Sequence, residues 1–262
     1  MPIGRRSFLV GTGAGALAAL SASCAQMESR SAGKAIAFDG FPIIDSRPLG
    51  AKTEALFPGR GEALLNAWRT RQFEYTWLRT LSDSYTDFWQ TTQDALVFAA
   101  RSLGLQLDAN ARDQLMQTYL ELKAWDDVRP ALETLRGAGF RLAFLSNFTA
   151  HMLDAAVQNS QLQGFFEAHL TTDRVRAFKP APIAYQMAIN AFRLPRERII
   201  FCAAAGWDAA GAKRFGYRTF WLNRTRAPSE ELGVKADGEG AGMGDLVRFA
   251  LANGSRQAAS RT

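Results

Sequence analysis

Four short apolar runs set the frame for this chain: "KAIAFD" (34–39), "RLAFLSN" (141–147), "RIIFC" (198–202) and "RTFWLN" (218–223). Each is too short for a helix and rich in the aliphatic and aromatic residues that suit strands. Stretches of helical periodicity separate the later runs. Residues 126–138 open with Asp126 and Asp127 and close with Gly137 and Gly139, the acidic start and glycine stop of a helix. "PIAYQMAINAF" repeats apolar residues at helical spacing between the second and third runs. Strands alternating with helices predict an α/β fold, a parallel sheet covered on both faces. Ligands bind such sheets beyond the carboxyl ends of the strands. The residues at those ends are Asp39, then Ser146 and Asn147, then the stretch after Cys202.

The first and second runs are about a hundred residues apart, too far for one crossover. The intervening sequence is helical in pattern. "GEALLNAWRTRQFEYTWLRTL" carries Leu64, Trp68, Leu78 and Leu81, and "DANARDQLMQTYLELKAW" offers Asp108 as an N-cap. Trp68, Trp77 and Trp89 read as core residues. A helical cap at 51–125 is therefore expected as an insertion in a core formed by 34–50 and 126–252. "DGEGAGMG" (237–244) reads as a flexible connection before a last helix, and the polar residues 253–262 as a disordered tail.

The first residues have a different character. Arg5 and Arg6 in "RRSFLV" precede thirteen small or apolar residues, "GTGAGALAALSAS". Residues 1–26 thus read as a twin-arginine export signal, with an apolar part too short to span a bilayer. The expected destination is the periplasm, with lipid anchoring through Cys24 as the other outcome. The "GTGAG" follows no strand, so a dinucleotide loop is set aside.

Composition narrows the classes further. With 47% hydrophobic and 21% charged residues, the chain can bury a substantial core. Its net charge of +6 is scattered, with no basic stripe interleaved with aromatics. That argues against nucleic acid and suits a small anionic substrate. Cys24 and Cys202 cannot form a disulfide framework, and Cys202 reads as a buried thiol. His151 and His169 lack zinc-ligand spacing, and no G-x-S-x-G elbow occurs. Lys179 in "FKPAP" reads as opening the next helix, and Asp208 lies in "AAAGWDAAGA". A nucleophilic aspartate at Asp39 needs a nearby cation to stay ionised, which Lys179 would supply.

The stretches "FPGRGEALLNAWRTRQFEYTWLRTLSDSY", "FLSNFT", "FKPAPIAY" and "GWDAAGAKRFGYRTFWLNR" carry a resemblance over about 34–250. It is to the L-2-haloacid dehalogenases, the type II branch of the haloacid dehalogenase (HAD) superfamily. The resemblance implies a HAD-like Rossmannoid core with a helical cap, no cofactor or metal, and a homodimer. It implies hydrolysis of short 2-haloalkanoic acids to 2-hydroxy acids with inversion, through an ester on Asp39. Arg69 matches the arginine that receives the halide. Ser146 and Asn147 match the residues near the substrate carboxylate. Lys179 matches the lysine paired to the nucleophile, and Asp208 the aspartate that orients the hydrolytic water. Phe41, Phe73, Phe88, Tyr185 and Trp207 match pocket-wall or site-lining positions.

Two departures from the family pattern stand out. The family loop reads like F-D-x-Y-G-T-L-x-D; here "FDGFPIID" is one residue shorter, with Pro42 in place of Gly-Thr. Proline also removes a backbone donor. The family's S-S-N-A-W-D reads "AAAGWD", with Ala203 and Ala205 replacing a serine and an asparagine. Phe41 occupies the position of the phosphatases' general acid, which argues against a HAD phosphatase. The thinned polar shell leaves a second alternative: a weak or inactive relative that binds a small carboxylate.

Overall fold

A computed structural model describes residues 34–252. The expected export segment, Cys24 and the tail at 253–262 lie outside the described residues. β1 (Lys34–Phe38) leads through one helical turn, α1 (Gly40–Ile43), to α2 (Arg47–Leu56), α3 (Gly61–Leu81), α4 (Phe88–Ser102) and α5 (Ala109–Glu121). The chain returns through α6 (Val128–Gly137) to β2 (Phe140–Ser146), α7 (Ala150–Asn159) and β3 (His169–Thr171). Then come α8 (Pro182–Phe192), β4 (Ile199–Ala203), α9 (Gly206–Phe215), β5 (Arg218–Leu222), β6 (Gly238–Gly240) and α10 (Met243–Ala252).

The strands form one parallel sheet in the order β3-β2-β1-β4-β5-β6. Side chains on a strand alternate between its two faces, and the burial follows that rule. Ile36, Phe38, Leu142, Phe144, Ile200 and Cys202 enter one apolar layer, with α6, α7 and α10 packed over it. Ala35, Ala37, Ala143, Leu145, Ile199 and Phe201 enter the other, under α8 and α9. Both faces are covered, as the continuous apolar runs predict. The chain builds out to one side of β1, then to the other from β4. The switch point therefore lies between β1 and β4, where open α/β sheets bind ligands.

The sheet differs from the sequence reading in extent. Four strands were expected, and β3 and β6 add two three-residue edge strands. β6 lies inside the stretch read as a flexible connection. Its backbone is held against β5, and a Cβ at Gly238 would come within 2.6 Å of Phe249. α8 begins at Pro182, so Lys179 lies in the preceding turn instead of opening the helix. Asp108 caps α5, accepting from the Ala111 amide at 2.7 Å.

Helices α2 to α5 stand between β1 and β2 in sequence, and α2 runs across residue 50. The two chain crossings that connect them to the sheet run side by side. The Asp45 amide donates to the Lys123 carbonyl at 2.8 Å, and the Trp125 amide to the Ile43 carbonyl at 3.0 Å. Ile44 and Ala124 form an antiparallel bridge between them.

Candidate active site

Asp39 follows β1 directly, and its amide donates to the Cys202 carbonyl at 3.0 Å. The sheet thus fixes its backbone. Its side chain caps α1, Oδ2 accepting from the Phe41 amide at 3.3 Å. Oδ1 accepts from Lys179 Nζ at 2.7 Å and from Ser146 Oγ at 3.4 Å. Ser146 Oγ in turn accepts from the Phe148 amide at 3.2 Å. Gly40 allows this close approach, since a Cβ there would lie 3.1 Å from Ser146 Oγ.

Lys179 and Asp208 are each 1% exposed. Lys179 Nζ donates to Asp208 Oδ2 at 2.5 Å, so one ammonium bridges two carboxylates. The Lys179 amide donates to Asn147 Oδ1 at 3.1 Å, which ties the turn to the end of β2. Asp208 Oδ1 accepts from the Tyr185 hydroxyl at 2.6 Å. Burial acts to lower the Lys179 pKa, but Asp208 and Asp39 outweigh it and hold the ammonium above its usual value. Burial pushes Asp208 up to about 6 against the pull of Lys179. Burial, reinforced by the Asp208 charge, also raises the Tyr185 hydroxyl well above its ordinary range.

Above this buried network lies a cavity of about 750 Å³. Asp39 and Asn147 reach it from the sheet, and Phe41, Phe88, Phe148 and Trp207 form aromatic walls. Helix α3 lays Leu65, Arg69 and Phe73 along it, the i, i+4, i+8 spacing of one helix face. The Arg69 guanidinium stands 5.4 Å from the Phe41 ring centroid, and no carboxylate among the described residues pairs with it. Such a cation among aromatic rings is suited to a weakly hydrated anion.

The structure brings together Asp39, Arg69, Asn147, Phe41, Phe73, Phe88 and Trp207 on this cavity. Lys179 and Asp208 lie behind Asp39 and outside the cavity lining. Two placements require correction. Tyr185 is fully buried and bonds Asp208, so it is not a wall residue. Ser146 is also fully buried, with its hydroxyl on Asp39 and outside the cavity lining. Sequence reasoning missed Trp125, flanked by the Arg47 and Arg224 guanidiniums at 4.6 and 4.5 Å from its ring centroid. Arg224 is itself held by Asp127 at 2.7 Å. Residues so far apart in sequence give no local signal.

Residues 23–216 match the family model of haloacid dehalogenase-like hydrolases. The chain is 39% identical over 217 residues to an (S)-2-haloacid dehalogenase of Pseudomonas sp. strain YL, covering 82% of this chain and 94% of that protein. This chain belongs to the L-2-haloacid dehalogenase family of hydrolases. The crystal structure of another L-2-haloacid dehalogenase matches with a TM-score of 0.82 and 40% identity, over 84% of this chain and 99% of that one. The structure of L-2-haloacid dehalogenase from Xanthobacter autotrophicus with chloropropionic acid covalently bound matches with a TM-score of 0.75 and 31% identity, over 83% of this chain and 98% of that one. Within this dehalogenase-family site, Ala203 ends β4 fully buried, and Ala205 stands at the N-cap of α9 with no side-chain cap. Pro42 is buried in α1, and its carbonyl accepts from Arg224 Nη2 at 3.5 Å.

Proposed function

We propose that this protein hydrolyses L-2-haloalkanoic acids to 2-hydroxy acids through an ester on Asp39. The observation that carries the reading is Asp39 held by Lys179 at 2.7 Å, in a cavity that Arg69 shares. In the first step an Asp39 carboxylate oxygen attacks C2 in line. The new C–O bond forms as the carbon–halogen bond breaks, and the halide leaves with the bonding electron pair toward Arg69. In the second step water adds to the ester carbonyl, and the 2-hydroxy acid departs while the Asp39 carboxylate is restored. The water's proton passes to the buried network, where Asp208 is the carboxylate poised to take it. Backside attack at C2 inverts its configuration. The aromatic walls exclude water during the first step. The covalent chloropropionate in the Xanthobacter relative supports the ester.

The family likeness favours this enzyme over an inactive carboxylate binder. Three further readings belong with it. The twin-arginine motif supports export to the periplasm, or anchoring there through Cys24. The helices between β1 and β2 act as a cap that closes over Asp39. Exposed Leu78 and Leu81 on α3 and Phe98 on α4 are apolar surface that supports a homodimer. The deciding experiment is halide release from L-2-chloropropionate by the purified protein. Steady release that tracks enzyme concentration is expected. A folded protein that frees no halide from any 2-haloacid would sink the reading.

A further inference from the structure

The backbone that carries Lys179 is tied to the rest of the molecule through two side chains. Residues 178–181 form a turn ahead of α8, closed by the Ala181 amide donating to the Phe178 carbonyl at 3.0 Å. Pro180 has no amide to offer. The amides of Phe178 and Lys179 remain. That of Lys179 donates to Asn147 Oδ1 at 3.1 Å, and that of Phe178 donates to Thr80 Oγ1 at 3.0 Å. Asn147 follows β2 in the core, whereas Thr80 belongs to α3 in the helical insertion.

Thr80 is set up for this contact. Its hydroxyl donates to the Thr76 carbonyl at 2.8 Å, one turn back, which leaves its lone pairs for the Phe178 amide. It stands about three turns beyond Arg69 on the same helix. The segment ahead of the turn is held from the same side. Tyr85, just beyond α3, places its ring 4.6 Å from that of Phe178 and donates its hydroxyl to Asp173 Oδ1 at 2.6 Å. Arg176 Nη2 donates to the Tyr85 carbonyl at 3.2 Å.

Placement matters here because Lys179 Nζ must reach two carboxylates at once, Asp39 at 2.7 Å and Asp208 at 2.5 Å. A shift of the turn lengthens at least one of these bonds. We infer that Thr80 is a positioning residue for the reaction: through the Phe178 amide it sets the Lys179 ammonium between Asp39 and Asp208. The helix that carries Arg69 thereby also fixes the counter-ion of Asp39. The expected effect on rate rests on the dehalogenation reading; the placement of Lys179 does not.

The test compares the wild type with Thr80→Val, which removes the acceptor at nearly constant shape, and Thr80→Ser, which restores it. One reading is kcat and KM for L-2-chloropropionate. The other is the titration of the Asp208 carboxyl in the ligand-free protein, followed by NMR with labelled aspartate and assigned with Asp208→Asn. Burial raises this carboxyl and Lys179 draws it back down; Asp39 and Tyr185 are the other ionisable groups that face it. A displaced ammonium draws less. Thr80→Val should therefore move the Asp208 titration to higher pH, and should lower kcat about tenfold or more with KM little changed. Thr80→Ser should return both toward the wild type. Tyr85→Phe, which cuts the tie to Asp173 farther up the segment, should leave both where they are. An unchanged kcat or Asp208 titration in a folded Thr80→Val protein overturns the inference. So does a Thr80→Ser protein that behaves like Thr80→Val, or a Tyr85→Phe protein that shifts as far. If Thr80→Val does not fold, Thr80→Ala removes the same acceptor and decides by the same readings. If the wild type releases no halide, it is the dehalogenation reading that has failed, and the Asp208 titration then tests the placement of Lys179 without turnover.

Discussion

The floor and the wall of the cavity follow opposite rules. At the floor, Asp39 is bonded to a buried network just behind it, Lys179, Asp208, Ser146 and Tyr185. On the wall, α3 presents a guanidinium with no carboxylate partner among the described residues, flanked by Leu65 and Phe73. Buried charges are tolerable only when paired, so the floor is fixed before a substrate arrives. The wall keeps a cation that the proposed mechanism pairs with the departing halide. The contrast teaches that, on the proposed mechanism, attack and leaving-group reception draw on different parts of the fold, one on the strand ends and one on a helix.

Mutations should separate the two. Asp39→Asn removes the proposed nucleophile and should lower halide release by about four orders of magnitude or more, with no ester adduct in the intact mass. Lys179→Met leaves two carboxylates buried around an apolar side chain. It should destabilise the protein by about 3–5 kcal/mol in chemical denaturation and strip activity as well. Arg69→Lys, on the wall, should lower kcat by about a hundredfold with the melting temperature little changed. A loss of stability in Arg69→Lys comparable to Lys179→Met would break the comparison.

The pH dependence sharpens it from another side. Asp208, pushed up to about 6, must be ionised to accept a proton. In the ester the Asp39 charge that helps raise Asp208 is gone, so hydrolysis should fall about tenfold per unit below a pH that lies under 6, read as adduct accumulation in rapid-quench mass spectra. Stability should move the other way. A carboxyl raised above its unfolded value favours the protonated fold, so this group's contribution rises as pH falls through about 6 toward the ordinary carboxylate range. The smallest effect is expected from Ala205→Asn. An amide restored beside the ester should raise the hydrolysis rate by about tenfold, measured as faster decay of the adduct.

Much of this was legible in the sequence, and the reason is local. β1, β2, β4 and β5 are apolar on both faces, so each announces itself as an unbroken run. β3 and β6 do not. "HLT" has a single aliphatic residue and "GEG" has none, because edge strands are held by backbone pairing and by what packs beside them. Asp39, Lys179 and Asp208 were marked by strand ends and by the likeness to known dehalogenases. The depth of Tyr185 and Ser146 was not, since whether a side chain meets the cavity or the network behind it depends on neighbours distant in the chain. Trp125 between Arg47 and Arg224 has the same origin.

The paired crossings at Ile44 and Ala124 carry a last consequence. Seen from the sheet, α2 to α5 occupy the place of a hairpin loop whose two stems are already joined. Loop closure depends only weakly on the length enclosed once the ends meet. The strand register that sets Asp39 against Cys202 is therefore insulated from insertions, deletions or wholesale exchange beyond the stem. One catalytic floor can be fitted with different roofs.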